Sequence, residues 1–137
     1  MNATEFNWTV RVYYEDTDAG GIVFYANYLK FFERARTEWL RALEINQFDM
    51  QHQHQAVFVV KATSVEYHAP ARLDDELRIA CTIEKIGRAS IVFAQTAWLG
   101  DQQLVSAVVT ICCVDIVAWK AIKIPDIVLD KLMPLLS

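Results

Sequence analysis

Chemistry is densest in one short run of the chain, Tyr14-Glu15-Asp16-Thr17-Asp18-Ala19-Gly20-Gly21-Ile22-Val23-Phe24-Tyr25. Carboxylates stand just before a pair of glycines, and an amphipathic segment follows. A helix starting there would offer unpaired backbone N–H groups and partial positive charge, which suit a developing oxyanion. Gly20 and Gly21 remove the side chains that would keep a ligand's carbonyl away from that backbone. A nearby carboxylate could attack the carbonyl carbon or activate a water for it. The same residues have a plainer use, because Asp16, Thr17 or Asp18 could simply cap the helix. Composition alone favours the cap.

Other reactive side chains form weaker patterns. His52 and His54, in Gln51-His52-Gln53-His54-Gln55, lack a placed third ligand and read as surface histidines rather than a metal site. Cys112 and Cys113 are neighbours on an expected strand, so they point to opposite faces and cannot jointly hold one ion. Both, with Cys81, read as small buried apolar residues. His68 could approach the pocket, and Glu66 is a carboxylate within an apolar strand; a structural or surface role is the simpler reading for each. Tyr14 could hydrogen-bond a ligand or pack with Trp8 and Phe6. No Walker loop, dinucleotide fingerprint or zinc-finger spacing occurs, and no metal or cofactor is called for.

The elements around this run can be read from period. Phe6, Trp8, Val10, Val12 and Tyr14 alternate with Asn7, Thr9 and Arg11 as a half-buried strand over 6–14. From about Val23 to Glu44 the residues Tyr28, Phe31, Phe32, Ala35, Trp39, Leu40 and Leu43 recur at three and four, predicting one amphipathic helix about 30 Å long. Arg34 and Glu38 are spaced to pair along it. Gln47–Gln55 is polar and reads as a connector with at most a helical turn. Four further strands are expected near 57–68, 76–86, 90–99 and 103–114, the last three joined as antiparallel hairpins. A short helix is expected after Pro125, with Asp126 in its first turn. This is an α+β layer arrangement in a single domain spanning 1–137.

Composition narrows the classes further. With 54% hydrophobic residues and 12% aromatics in 137 residues, the chain can bury a core and is not disordered. A net charge of −4 argues against nucleic-acid binding, so any anionic ligand must meet a local basic cluster. Three cysteines are an odd number in a chain that can fold without disulfides. The N-terminal Met-Asn-Ala-Thr-Glu-Phe has no signal-peptide pattern, and nowhere are there about eighteen consecutive apolar residues, so a cytoplasmic protein without a transmembrane segment is expected. Strands such as Val57-Phe58-Val59-Val60 are apolar on both faces, and an uncovered edge and face imply a homodimer or homotetramer.

The run from Val10 to Tyr28 closely resembles the signature of the 4-hydroxybenzoyl-CoA thioesterase family of hotdog-fold proteins. The continuations Phe31-Phe32-Glu33-Arg34-Ala35-Arg36-Thr37-Glu38 and Val65-Glu66-Tyr67-His68-Ala69-Pro70-Ala71-Arg72-Leu73-Asp74-Asp75 look like its YbgC-like, Tol-Pal-associated acyl-CoA thioesterase branch. The resemblance covers nearly the whole chain. It implies a long helix wrapped by a five-stranded antiparallel sheet, two such units pairing.

It also implies an acyl-CoA substrate, short-chain or aromatic, with Asp18 as the catalytic residue, either nucleophile or general base. The backbone N–H at or near Tyr25 would polarise the thioester carbonyl. The YbgC-like branch commonly carries His where Tyr25 stands. Tyr14, Gly21, Ile22 and Val23 would contact substrate, and Phe24 with Val57–Val60 would shape the acyl site. Arg88, in the Ile86–Ser90 turn, resembles in position the basic turn that meets the CoA phosphates; Lys85, Lys120 and Lys123 read as surface charge. Hydroxyacyl dehydration fits less well, because neither histidine nor proline stands at the helix start. An alternative from another class is a non-catalytic acyl-CoA or acyl-carrier-protein binder linked to the cell envelope.

Overall fold

The computed structural model describes residues 4–137; Met1–Ala3, part of the N-terminal stretch read above, lie outside the described residues. The elements in chain order are β1 (Phe6–Arg11), α1 (Asn27–Ala42), α2 (Gln47–His54), β2 (Ala56–Tyr67), β3 (Glu76–Ile86), β4 (Ser90–Leu99), β5 (Gln102–Asp115) and α3 (Asp126–Leu132). The strands form one antiparallel sheet in the order β1-β3-β4-β5-β2. This is the α+β hotdog arrangement expected from the resemblance.

The sheet buries alternate residues against α1, as period-two strands with one covered face must. Leu77, Ile79, Cys81 and Ile83 of β3 face Phe93 and Ala97 of β4 and Val105, Val109 and Ile111 of β5 within one buried cluster. Tyr28, Phe31, Phe32, Ala35, Trp39 and Leu40 form the buried stripe of α1. Trp39 stacks on Phe6 with ring centroids 5.8 Å apart and meets Phe93 at 6.1 Å, which ties the helix to β1 and β4.

One polar network crosses this core. Arg36 is buried, and its Nη1 donates to Gln95 Oε1 at 2.8 Å, while Gln95 Nε2 donates to the Phe32 carbonyl and the Cys81 sulfur, each at 3.0 Å. Burial lowers the guanidinium pKa, opposed by Cys81 and Glu33. Burial likewise pushes the Cys81 thiol up to about 12, so it stays a neutral core residue. Cys113 is buried as expected, whereas Cys112 is only half-buried on the opposite face.

Several boundaries differ from the sequence expectation. The helix begins at Asn27, not Val23, and its 16 residues span about 24 Å rather than 30. Ile22 and Val23 are extended instead, bridging to Arg72 and Thr17, with the Val23 N–H donating to the Ala71 carbonyl. β-branched residues lose little by staying extended. The first strand stops at Arg11, and Tyr14 lies in a short 3-10 turn, 82% exposed rather than packed on Trp8 and Phe6. The polar connector closes into α2, whose start is capped by Asn46 accepting from the Asp49 N–H at 3.2 Å. Glu38 pairs with Arg41, not Arg34.

β2 is a twelve-residue edge strand, paired among the described residues with β5 alone. Val60 on it is 54% exposed, and Val108 on β5 is 43% exposed. Among the described residues no helix is long and apolar enough to cross a membrane.

Candidate active site

The loop between β1 and α1 is built by its own carboxylates. Asp16 is buried, and its Oδ2 accepts from the Tyr13 N–H at 2.8 Å. Its carbonyl accepts from the Phe24 N–H and from Asn27 Nδ2, both at 2.9 Å, which locks the loop to the first residue of α1. Asp18 is exposed. Its Oδ1 accepts from the Gly20 N–H at 2.8 Å, its N–H donates to the Ile22 carbonyl, and its carbonyl accepts from the Gly21 N–H. Gly21 sits at φ +82°, a backbone region that favours glycine.

These bonds remove the capping reading. Asp16 and Asp18 spend their oxygens on loop amides, Thr17 Oγ1 donates to the Tyr14 carbonyl, and the N-cap of α1 is Ala26, with no side-chain cap. Tyr25 falls in the turn just before the helix rather than at its start, and its amide N–H meets no acceptor among the described residues.

A cavity of about 340 Å³ opens beside this turn, lined by Ile22, Val23, Tyr25, Tyr28, Tyr67, His68, Ala69 and Pro70. Its size lies at the lower end for small-molecule sites, and its wall is mostly aromatic and aliphatic. Tyr25 and Tyr67 meet edge to face at 6.2 Å, and Tyr28 lies 5.8 Å from Tyr67. Two of the three phenols are engaged. Tyr67 Oη donates to the Tyr25 carbonyl at 2.9 Å, and Tyr28 Oη accepts from the Ala71 backbone N–H. Burial raises both phenols above the ordinary tyrosine range, helped for Tyr67 by the neighbouring Tyr25, so both stay neutral.

The structure therefore brings Tyr25, Ile22 and Val23 together and leaves other sequence candidates apart. Asp18 is one turn from Ile22, but its carboxylate folds back on Gly20 and does not line the cavity. Gly21 shapes that turn without reaching the wall. Tyr14 lines a separate groove with Val12, Tyr13, Glu15, Leu73 and Asp74. Phe24 lies against Tyr25 with the rings tilted at 49° and centroids 4.7 Å apart, outside the wall. Arg88 lies at the far end of the sheet, where its carbonyl accepts from the Ile124 N–H. Ala97 shares a row with Val105 and Tyr67, whereas Ser90 opens β4 beside Arg88, a separation of roughly 25 Å within one chain.

Tyr28 and Tyr67 are wall residues that the sequence did not single out as ligand-facing. Tyr28 was visible only as a member of the buried helix stripe, and Tyr67 only as part of the run from Val65 to Asp75 that carries the family resemblance. His52 and His54 are exposed on α2, away from this wall, and no group of three metal-binding side chains occurs among the described residues.

Comparison with known proteins agrees with this architecture. The Thioesterase superfamily model matches residues 20–106. The acyl-CoA thioester hydrolase YbgC of Escherichia coli O6:H1 is 47% identical over 126 residues, covering 91% of this chain and 93% of that protein. The acyl-CoA thioesterase YbgC of Haemophilus influenzae is 43% identical over 120 residues, covering 88% of each. A crystal structure of a probable thioesterase from Bartonella henselae superposes with a TM-score of 0.84 at 31% identity, covering 88% of this chain and 99% of that one. On the match to residues 20–106 and on these identities across most of its length, the chain belongs to the thioesterase superfamily.

Proposed function

We propose that this protein hydrolyses acyl-CoA thioesters to a free acid and coenzyme A. The observation that carries the reading is the amide N–H of Tyr25, a residue lining an aromatic cavity, which lacks an acceptor among the described residues. A thioester oxygen placed there gains a fixed donor as negative charge develops on it. The names of the Escherichia coli and Haemophilus influenzae relatives point the same way.

In this reading Asp18 is the reacting carboxylate. It either bonds the carbonyl carbon directly, giving a mixed anhydride that water then opens, or takes a proton from the attacking water. In both routes the C–S bond breaks and the sulfur leaves as thiolate to be protonated to the thiol. Its side chain must swing off the Gly20 N–H to act, and one glycine-bordered turn separates it from the cavity. An aromatic wall of about 340 Å³ suits short-chain or aromatic acyl groups. An acyl carrier protein would present the same thioester.

We further propose that the chain, as one unit over 1–137, works as a homodimer or a higher homo-oligomer through the open β2 edge. Isologous pairing of β2 with its own copy is antiparallel, which carries the partner's Arg88 end toward the Tyr25 end of this chain. That arrangement lets Arg88 meet CoA phosphates that it cannot reach within one chain. Light scattering is expected to return at least twice the monomer mass, and a clean monomer contradicts the arrangement.

The deciding experiment is thiol release from a panel of short-chain and aromatic acyl-CoA substrates. Wild type is expected to turn over, and Asp18→Asn to lose at least ~100-fold in kcat. Equal turnover by both removes Asp18 from the mechanism. The second reading, a non-catalytic acyl binder, is favoured by the way Asp18 folds back on Gly20. It predicts saturable calorimetric binding with no thiol released.

A further inference from the structure

We infer that His68 is a second catalytic residue of this cavity, donating a hydrogen bond to the thioester oxygen alongside the Tyr25 N–H. This rests on the thioesterase reading above and names a further group at the same site.

The cavity wall contains four side chains with polar atoms, those of Tyr25, Tyr28, Tyr67 and His68. Tyr67 donates to the Tyr25 carbonyl, and Tyr28 accepts from the Ala71 backbone N–H. The imidazole of His68 is held at one nitrogen only: Nε2 lies 3.0 Å from Ser106 Oγ, and Nδ1 has no partner among the described residues. The His68 backbone is fixed as well, its N–H donating to the Leu104 carbonyl at 2.8 Å. A ring anchored at its main chain and at one nitrogen, with the other nitrogen free beside a cavity, is oriented for a ligand before any ligand arrives.

The chain has three histidines, and the other two are on α2. When Ser106 donates to Nε2, Nδ1 carries the hydrogen and is the donor. The hydrogen stays on the ring while the carbonyl oxygen accumulates charge, so no bond to His68 forms or breaks. The C–S bond then breaks as in the scheme above. Two convergent donors, Tyr25 N–H and His68 Nδ1–H, make an oxyanion site where one backbone N–H alone would leave the second lone pair to solvent. The flanking Glu66 stands opposite Ser106 in the β2–β5 ladder, and Tyr67 lies between it and His68.

The test is thiol release from an acyl-CoA that the wild type turns over. His68→Ala is expected to lower kcat by about 10²-fold, the usual effect of removing one oxyanion donor, with KM little changed. His68→Gln, which keeps a side-chain N–H, should retain more rate than His68→Ala. Added imidazole should restore part of the His68→Ala rate, an effect that a merely structural role would not give. Because His68 is exposed, circular dichroism of both variants is expected to match the wild type. Unchanged kcat in His68→Ala, or equal loss in both variants without imidazole rescue, overturns the assignment. Absence of turnover in the wild type overturns the thioesterase reading itself, so the two failures are distinguishable.

Discussion

The phenol of Tyr67 donates a 2.9 Å hydrogen bond to the backbone carbonyl of Tyr25, 42 residues earlier in the chain. The last residue of β2 thereby holds the residue whose own N–H has no acceptor among the described residues. Both groups are exposed, so the bond contributes little to global stability and mainly fixes the orientation of the turn before α1.

Tyr67→Phe separates those two effects. Unfolding free energy should change by less than about 1 kcal/mol, while kcat falls several-fold because the Tyr25 peptide is free to rotate. Denaturant titration and thiol release on one preparation check it, and unaltered turnover refutes a positioning role for the hydroxyl.

Gly21 tests the loop itself. A Cβ added there meets no atom within 4 Å, so any cost arises from its φ of +82° rather than from a clash. Gly21→Ala is expected to destabilise by about 1 kcal/mol and to lower kcat through the displaced Asp18 turn. Gly21→Asn, which tolerates positive φ better, should lie between. A thermal melt of the three proteins settles the order.

Gln95 holds the buried Arg36. Gln95→Leu leaves the guanidinium without its protein acceptor and should cost about 2–3 kcal/mol. The double variant Gln95→Leu with Arg36→Met removes the stranded charge and should lose less than the single variant. Equilibrium urea unfolding distinguishes the two, and a double variant weaker than the single one would show that the guanidinium itself stabilises the core.

The thiols set an alkaline limit. Burial raises Cys81 to about 12 and Cys113 to about 11 from an ordinary 9.0. The unfolded thiols release their protons first, so the unfolded state is favoured as pH climbs. Stability from these groups is complete below pH 9.0 and declines as pH rises through the folded values. Wild type should therefore lose stability above that point faster than Cys81→Ala, measured as the change in urea midpoint with pH.

Strand and helix periods were legible because they are local. The alternation of Leu77, Ile79 and Cys81 places β3 at Glu76–Ile86, the same limits read from the sequence, and the three-and-four spacing from Tyr28 to Leu40 marks the buried stripe of α1. The low hydrophobic contrast of Gln47–His54, which buries only Met50, hid α2, because its start depends on the Asn46 cap rather than on an apolar stripe.

By itself, then, the sequence determined the order of the five strands and of the first and last helices, the sheet's inner faces and the carboxylate–glycine run that borders the site. Only the tertiary structure decided how that run is used. Ile22 and Val23 stay extended because they pair with Arg72 and Thr17 and bond Ala71, so the helix starts four residues late. The carboxylates of Asp16 and Asp18 turn to loop amides instead of capping α1. Tyr67 and His68 reach Tyr25 only once β2 has joined the sheet, and Arg88 is carried to the opposite end of β3. Periodicity reports a residue's face within its own element, whereas the Ile22–Arg72 bridge and the Tyr67–Tyr25 bond join segments some 40 or more residues apart, which a local pattern does not encode.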